Sequence, residues 1–245
     1  MSEHSGLMSS RRLEAFSDGV FAIAITLLVL DLRVPAREGS APGRLATELG
    51  RQWPSYCAYL VSFLIIGIIW VNHHTVFAKV RLVDRPVQFV NLTLLLVVSA
   101  IPFPTRLLAE YLTAGGDSHI AAAVYSGTML AMGLAYSGLW LTITRDSRML
   151  HDHVDFATSR AALRRFALGN LFYGATIGLA FVSAAATLAV HAALAIYYCF
   201  DQLPTASPAP EGLGPGPSPA PAPGPAPGSG SGPAPGSGSG PGHGG

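Results

Sequence analysis

Arg12-Leu-Glu-Ala-Phe16-Ser17-Asp18-Gly19 leads without a break into the apolar stretch Val20 to Leu30. A membrane span needs about 20 residues to cross roughly 30 Å of hydrocarbon. A helix of that length starting here carries an arginine, a serine and an aspartate in its first turns. Ionisable groups at that depth are costly, so they face a protein interior or a watery path rather than lipid. The start of the chain therefore reads as part of a machine inside the membrane, not as a simple anchor.

The rest of the composition agrees. Half of the 245 residues are hydrophobic and 12% are charged, against about 25% charged in soluble domains. This predicts an all-α polytopic membrane protein in a lipid bilayer. The net charge of +1 gives no sign of nucleic-acid binding. Cys57 and Cys199 lie in separate apolar segments and read as small buried hydrophobes, not as a disulfide framework. Asp31-Leu-Arg33, not a small-residue cleavage site, follows the first apolar run, so that run is expected to be retained.

Six spans are expected, at 13–32, 54–77, 87–108, 120–143, 163–182 and 185–200. Pro102 and Pro104 should bend or end the third. The fourth is rich in Ala and Gly, which suits close helix packing. A single helix from Arg165 to Phe200 would overshoot the bilayer, so a tight turn is placed near Ser183 to Ala186. With a cytoplasmic N-terminus, the inner segments hold Arg11, Arg12, Lys79, Arg81, Arg85, Arg145, Arg148, Arg160, Arg164 and Arg165. The outer loops hold Arg33, Arg37, Arg44, Arg51 and Arg106. The excess of inner positive charge favours both termini in the cytoplasm of an inner-membrane protein. The first outer loop, with its arginines, fits that rule poorly. Residues 1–8 form an N-terminal cytoplasmic segment, 9–202 the membrane domain, and 203–245 a Pro/Gly-rich tail expected to be disordered.

On the first helix, Phe16, Gly19, Ile23, Thr26, Leu27 and Leu30 recur at three- and four-residue spacing and share one stripe. The stripe is apolar except for the Thr26 hydroxyl. Two readings fit it. It is ordinary helix packing, or several copies surround an axis and narrow a channel with rings of apolar side chains, which can gate by dewetting.

Arg12, Ser17 and Asp18 need partners, because an unpaired buried charge costs several kcal/mol. An antiparallel second span brings Trp70, Asn72, His73 and His74 to a similar depth, and a polar network between the two helices is expected. A proton relay through Asp18 and His73 is the sharper alternative, since histidine titrates near neutral pH. His73 and His74 diverge by about 100° on a helix and cannot share one metal from one chain. His151-Asp-His153-x-Asp155 looks metal-like but reads as a solvated polar loop. No nucleotide loop, zinc-protease helix or serine–histidine constellation occurs, so no enzyme, metal or cofactor is expected.

Arg12-x-x-x-Phe16-Ser17-Asp18-Gly19 with its apolar continuation, and Trp70-Val-Asn72-His73-His74 in the second span, resemble the transmembrane protein 175 family of endosomal–lysosomal potassium channels. The resemblance covers about residues 9–202. It implies a single six-span unit of the prokaryotic kind, a homotetramer whose first helices line the pore. It places the constriction at Ile23, with Thr26, Leu27 and Leu30 completing the wall, and potassium as the permeant ion. It assigns Arg12, Phe16, Ser17, Asp18, Trp70, Asn72 and His73 to holding the pore helix and the subunits in place. The family lacks a carbonyl selectivity filter, and no Thr-Val-Gly-Tyr-Gly segment occurs here. Selectivity is therefore expected to be modest. The competing activity is a proton-coupled cation carrier using Asp18 and His73.

Overall fold

The structure is a computed structural model that describes residues 8–35, 44–146, 149–150 and 156–201. The tail from 203 onward and the His151–Asp155 motif lie outside the described residues. Helices dominate in chain order: α1 (Ser10–Leu27), α2 (Leu45–Arg51), α3 (Trp53–Phe77), α4 (Arg85–Ala100), α5 (Pro102–Tyr111), α6 (Asp117–Ile143), α7 (Phe156–Ala180) and α8 (Ala184–Asp201). A 3-10 turn, Leu28–Asp31, continues α1. Two short strands, β1 (Met8–Ser9) and β2 (Leu82–Val83), pair antiparallel with Met8 opposite Val83, tying the start of α1 to the α3–α4 connection.

Four segments are long and apolar enough to cross a membrane: Ser10–Asp31, Trp53–Phe77, Arg85–Tyr111 and Asp117–Ile143. The apolar stretches Phe166–Ala180 and Ala184–Phe200 are shorter. Length alone thus identifies four of the six expected spans. The third is broken as its prolines require: α4 stops at Ala100 and α5 starts at Pro102. The last two helices part where expected, with the Ser183 hydroxyl accepting from the Ala186 N–H at 3.2 Å to cap α8. Asp84 caps α4 in the same way, accepting from the Val87 N–H at 3.0 Å. The short helix α2, in what was expected to be a plain loop, is an addition.

The centre of the bundle is α6. Its buried residues Ser118, Ala122, Tyr125, Met129, Met132, Tyr136, Leu139 and Ile143 alternate at three- and four-residue steps. They make one continuous apolar seam against neighbouring helices. Where α7 crosses, Gly133 lets Asn170 come so close that a Cβ at 133 would overlap the Asn170 Oδ1. That amide donates to Ser137 Oγ at 2.9 Å.

The outside is apolar too. Phe89, Leu96, Phe103 and Leu171 are each 69% exposed, the pattern of a protein whose solvent is lipid or a neighbouring subunit. Cys57 and Cys199 are free and exposed on this surface, which corrects the expectation that they are buried. In such a protein, hydrophobicity does not report burial.

Of the four arginines expected in the first outer loop, Arg33, Arg44 and Arg51 have acidic partners, and Arg37 lies outside the described residues. Arg44 and Arg51 each lie 3.7 Å from Glu48. Arg33 pairs with Glu110, which also accepts from Arg106 Nε at 3.0 Å.

Candidate functional site

α1 has two faces of different character. Ser10, Leu13, Ser17, Phe21 and Ala24, with Leu28 in the 3-10 turn, face the bundle and are buried. The other face is the stripe read from the sequence, and the protomer leaves it uncovered. Phe16 is 55%, Ile23 59%, Leu27 41% and Leu30 74% exposed. A Cβ at Gly19 would meet nothing within 4 Å. Thr26 is exposed on the same face, and its hydroxyl turns back to the carbonyls of Ala22 (3.0 Å) and Ile23 (2.9 Å). With the proton committed to the backbone, the oxygen lone pairs are free to accept from a ligand or to face a cation.

A polar network binds the buried face of α1. Asn91 on α4 is its hub. Its Nδ2 donates to Ser17 Oγ at 3.0 Å, and Ser17 Oγ donates to the Leu13 carbonyl at 2.8 Å. His73 on α3 lies 2.9 Å from Asn91 Oδ1 through Nε2. A carbonyl oxygen only accepts, so Nε2 carries the proton. Ser17, His73 and Asn91 are all 0% exposed. The His73 ring stacks on Phe77 at 4.4 Å and meets Phe21 edge-on at 5.3 Å, which fixes its plane.

A second set of contacts lies towards the surface. Trp70 Nε1 donates to Asp18 Oδ1 at 2.9 Å, and His74 Nδ1 lies 2.8 Å from Glu14 Oε1. Of the residues the sequence singled out, the structure therefore joins Ser17, Asp18, Trp70 and His73 to neighbouring helices, and Asn72 sits half-buried beside them. Arg12 and Phe16 are exposed on the protomer, and Arg12 makes no hydrogen bond or ion pair among the described residues. Asp18 and His73 go to different partners, Trp70 and Asn91, rather than to each other.

Sequence reading missed Asn91 and Glu14 as partners, while His74 is among the residues expected at this depth. The signal for Asn91 was present: it is an amide inside the apolar span expected at 87–108, and such a group needs a partner across helices. A second buried knot was also missed. Ser62 Oγ lies 2.8 Å from Thr105 Oγ1 and 2.9 Å from the Tyr125 hydroxyl, joining α3, α5 and α6.

Comparison with known proteins gives a consistent set of similarities. The family described as endosomal/lysosomal potassium channel TMEM175 matches residues 12–102, which hold α1, the Trp70–His74 element and Asn91. A potassium channel of Streptomyces collinus is 58% identical over 195 residues, covering 80% of this chain and 94% of that protein. A potassium channel of Chamaesiphon minutus is 41% identical over 187 residues, covering 76% of this chain and 92% of that one. The crystal structure of a lysosomal potassium-selective channel TMEM175 homolog from Chamaesiphon minutus superposes with a TM-score of 0.70 at 38% identity, covering 78% of this chain and 97% of that chain.

Proposed function

This chain belongs to the TMEM175 family, and on that premise we propose that it is a potassium-permeable cation channel in which copies of α1 surround a central conduction path. The observation that carries the reading is the uncovered face of α1. A long apolar stripe with one hydroxyl, opposite a face pinned by buried hydrogen bonds, suits a wall that meets its own copies around an axis. One protomer offers a single such helix, so several must assemble, and a homotetramer is the assembly we propose. Six spans, the last two formed by the shorter apolar stretches of α7 and α8, put both termini on one side, and the inner charge excess favours the cytoplasm for that side.

Ile23 and Leu30 give the path its apolar rings, and Thr26 sits between them. Branched apolar side chains exclude water from a narrow bore and make dehydration the main barrier to an ion. Free lone pairs of Thr26 soften that barrier for a cation. Such a wall selects by width and dehydration, so it discriminates less than a filter of carbonyls.

The network around Asn91, Ser17 and His73 serves this arrangement by holding α1 in register with α3 and α4. It keeps the pore face turned away from the bundle. Tetramer mass in detergent together with single-channel steps in a potassium gradient tests the whole reading. A monomer, or saturable flux without unitary steps and coupled to a proton gradient, replaces it with a carrier.

A further inference from the structure

The apolar wall of α1 ends in a weak element. After Leu27 the chain makes one 3-10 turn, Leu28–Asp31, and leaves helical geometry at Leu32, whose N–H bonds back to the Val29 carbonyl at 3.1 Å. Such turns have poorer hydrogen-bond geometry than an α-helix and often mark a hinge. Leu28 is fully buried there, but Leu30, the outermost member of the stripe, is 74% exposed. Apolar packing alone leaves this end lightly held.

Charges hold it instead. Glu110 on α5 accepts from Arg106 one turn earlier on the same helix, at 3.0 Å, and pairs with Arg33 just beyond the 3-10 turn. Arg106 Nη1 in turn stands 4.0 Å from the Asp31 carboxylate. Asp31 and Arg33 flank the end of the α1 segment, and both are gripped from α5. A single exposed ion pair contributes little. Here one carboxylate is shared by two guanidiniums, and Arg106 is already oriented by its contact within α5.

The rest of the surroundings allow movement. α5 begins at Pro102, where the missing proline N–H interrupts the hydrogen-bond ladder of the third span although Ile101 keeps helical angles. Asp31, Arg33, Arg51, Gln52, Arg106 and Glu110 line a cavity of about 670 Å³, so the cluster is not locked in a dry core.

Resting on the channel reading above, we propose that Glu110 is a positioning residue for the outer end of the pore wall. Its ion pairs fix where Leu30 stands, and a change in the tilt of α5 about Pro102 is passed to Leu30 through them. Arg33, one of the arginines that break the positive-inside pattern, is then there to be paired with α5, not to set topology.

The test compares the full-length wild type with Glu110→Gln, Arg33→Gln, the double variant and Glu110→Asp, reconstituted in liposomes. Amide hydrogen exchange at Leu28–Arg33 is read against α6 in the same sample. Glu110→Gln is expected to speed exchange at the 3-10 turn about three- to tenfold while α6 is unchanged. Adding Arg33→Gln to it should have little further effect, and Glu110→Asp should restore most of the protection. In bilayer recordings Glu110→Gln should change open probability with the unitary current preserved. Unchanged exchange in Glu110→Gln, or independent and additive effects of the two Gln substitutions, overturns the anchor. A changed unitary current with unchanged open probability overturns it as a positioning role. A wild type that conducts no potassium overturns the channel reading, and the exchange data then judge the anchor by themselves.

Discussion

Glu14 meets His74 at 2.8 Å, one helical turn from the hydrogen bond between Trp70 and Asp18. Positions 14 and 18 on α1 are four apart, as are 70 and 74 on α3, and the order reverses between the two helices. The four residues therefore form two rungs of an antiparallel ladder. Two acids on one ridge of α1 can meet two nitrogen donors on one ridge of α3 in only one register, so the ladder fixes how far α1 is slid along its neighbour. The Ser17–Asn91–His73 chain sets its rotation from the buried side.

Removing one rung should loosen α1 modestly. Trp70→Phe deletes the indole N–H and leaves Asp18 Oδ1 without its donor. Trp70 is 42% exposed on the protomer, so the contact lies outside the packed core, and a loss of about 0.5–1.5 kcal/mol, the net worth of one hydrogen bond, is expected. Asp18→Asn keeps an acceptor oxygen and should cost less. Thermal unfolding of the detergent-solubilised protein, followed by loss of the folded peak in size-exclusion chromatography, ranks the two. The reverse order rules out the Trp70 hydrogen bond as the stabilising contact.

The buried hub should be far more sensitive. Asn91→Leu is close in volume but leaves the His73 Nε2–H without its acceptor and takes the incoming donor from Ser17 Oγ, which keeps its bond to the Leu13 carbonyl; Ser17 and His73 are both 0% exposed. One buried donor left unpaired and one further hydrogen bond lost cost roughly 2–4 kcal/mol together. The same melting assay should show a larger drop for Asn91→Leu than for Trp70→Phe. Equal or smaller destabilisation contradicts the role given to Asn91.

The sequence made some of this legible and hid the rest for physical reasons. The α1 stripe could be read because helical spacing is local: Ile23, Thr26, Leu27 and Leu30 share a face whatever surrounds them. Pro102 announced the break between α4 and α5 because its effect on the backbone is local too. Asn91 as the partner of Ser17 was hidden, since 74 positions separate them and only the packing of α4 on α1 brings them together. The pairing of Arg33 with Glu110 spans 77 positions and was hidden in the same way. Cys57 and Cys199 misled because a membrane bundle is apolar on both its inner and its outer surface.

Packing of α6 on α7 should depend on the missing side chain of Gly133. A Cβ there would overlap the Asn170 Oδ1, and Asn170 is held by its bond to Ser137. Gly133→Ala forces that amide to move and should destabilise the fold by about 1–3 kcal/mol, as overpacking does. Asn170→Ala in the Gly133→Ala background makes room and should recover part of the loss. If the pair of substitutions is simply additive, the close approach at this crossing is not what makes glycine necessary.

Ile23 provides the sharpest test of the proposed conduction path. It is 59% exposed on a protomer whose opposite α1 face is buried, so substitution there should leave folding almost intact. Ile23→Asn exchanges a branched apolar group for an amide of similar size that holds water. If copies of Ile23 ring the axis, the constriction becomes wetter, and the barrier set by dehydration falls. A drop of about 1.4 kcal/mol in that barrier raises flux roughly tenfold. Potassium flux into liposomes should therefore rise, and the preference for potassium over sodium should fall with it. Ile23→Ala widens the ring without wetting it and should lie between the two. Wild-type flux and selectivity in both variants, with oligomer mass unchanged, place Ile23 on lipid rather than on the ion path.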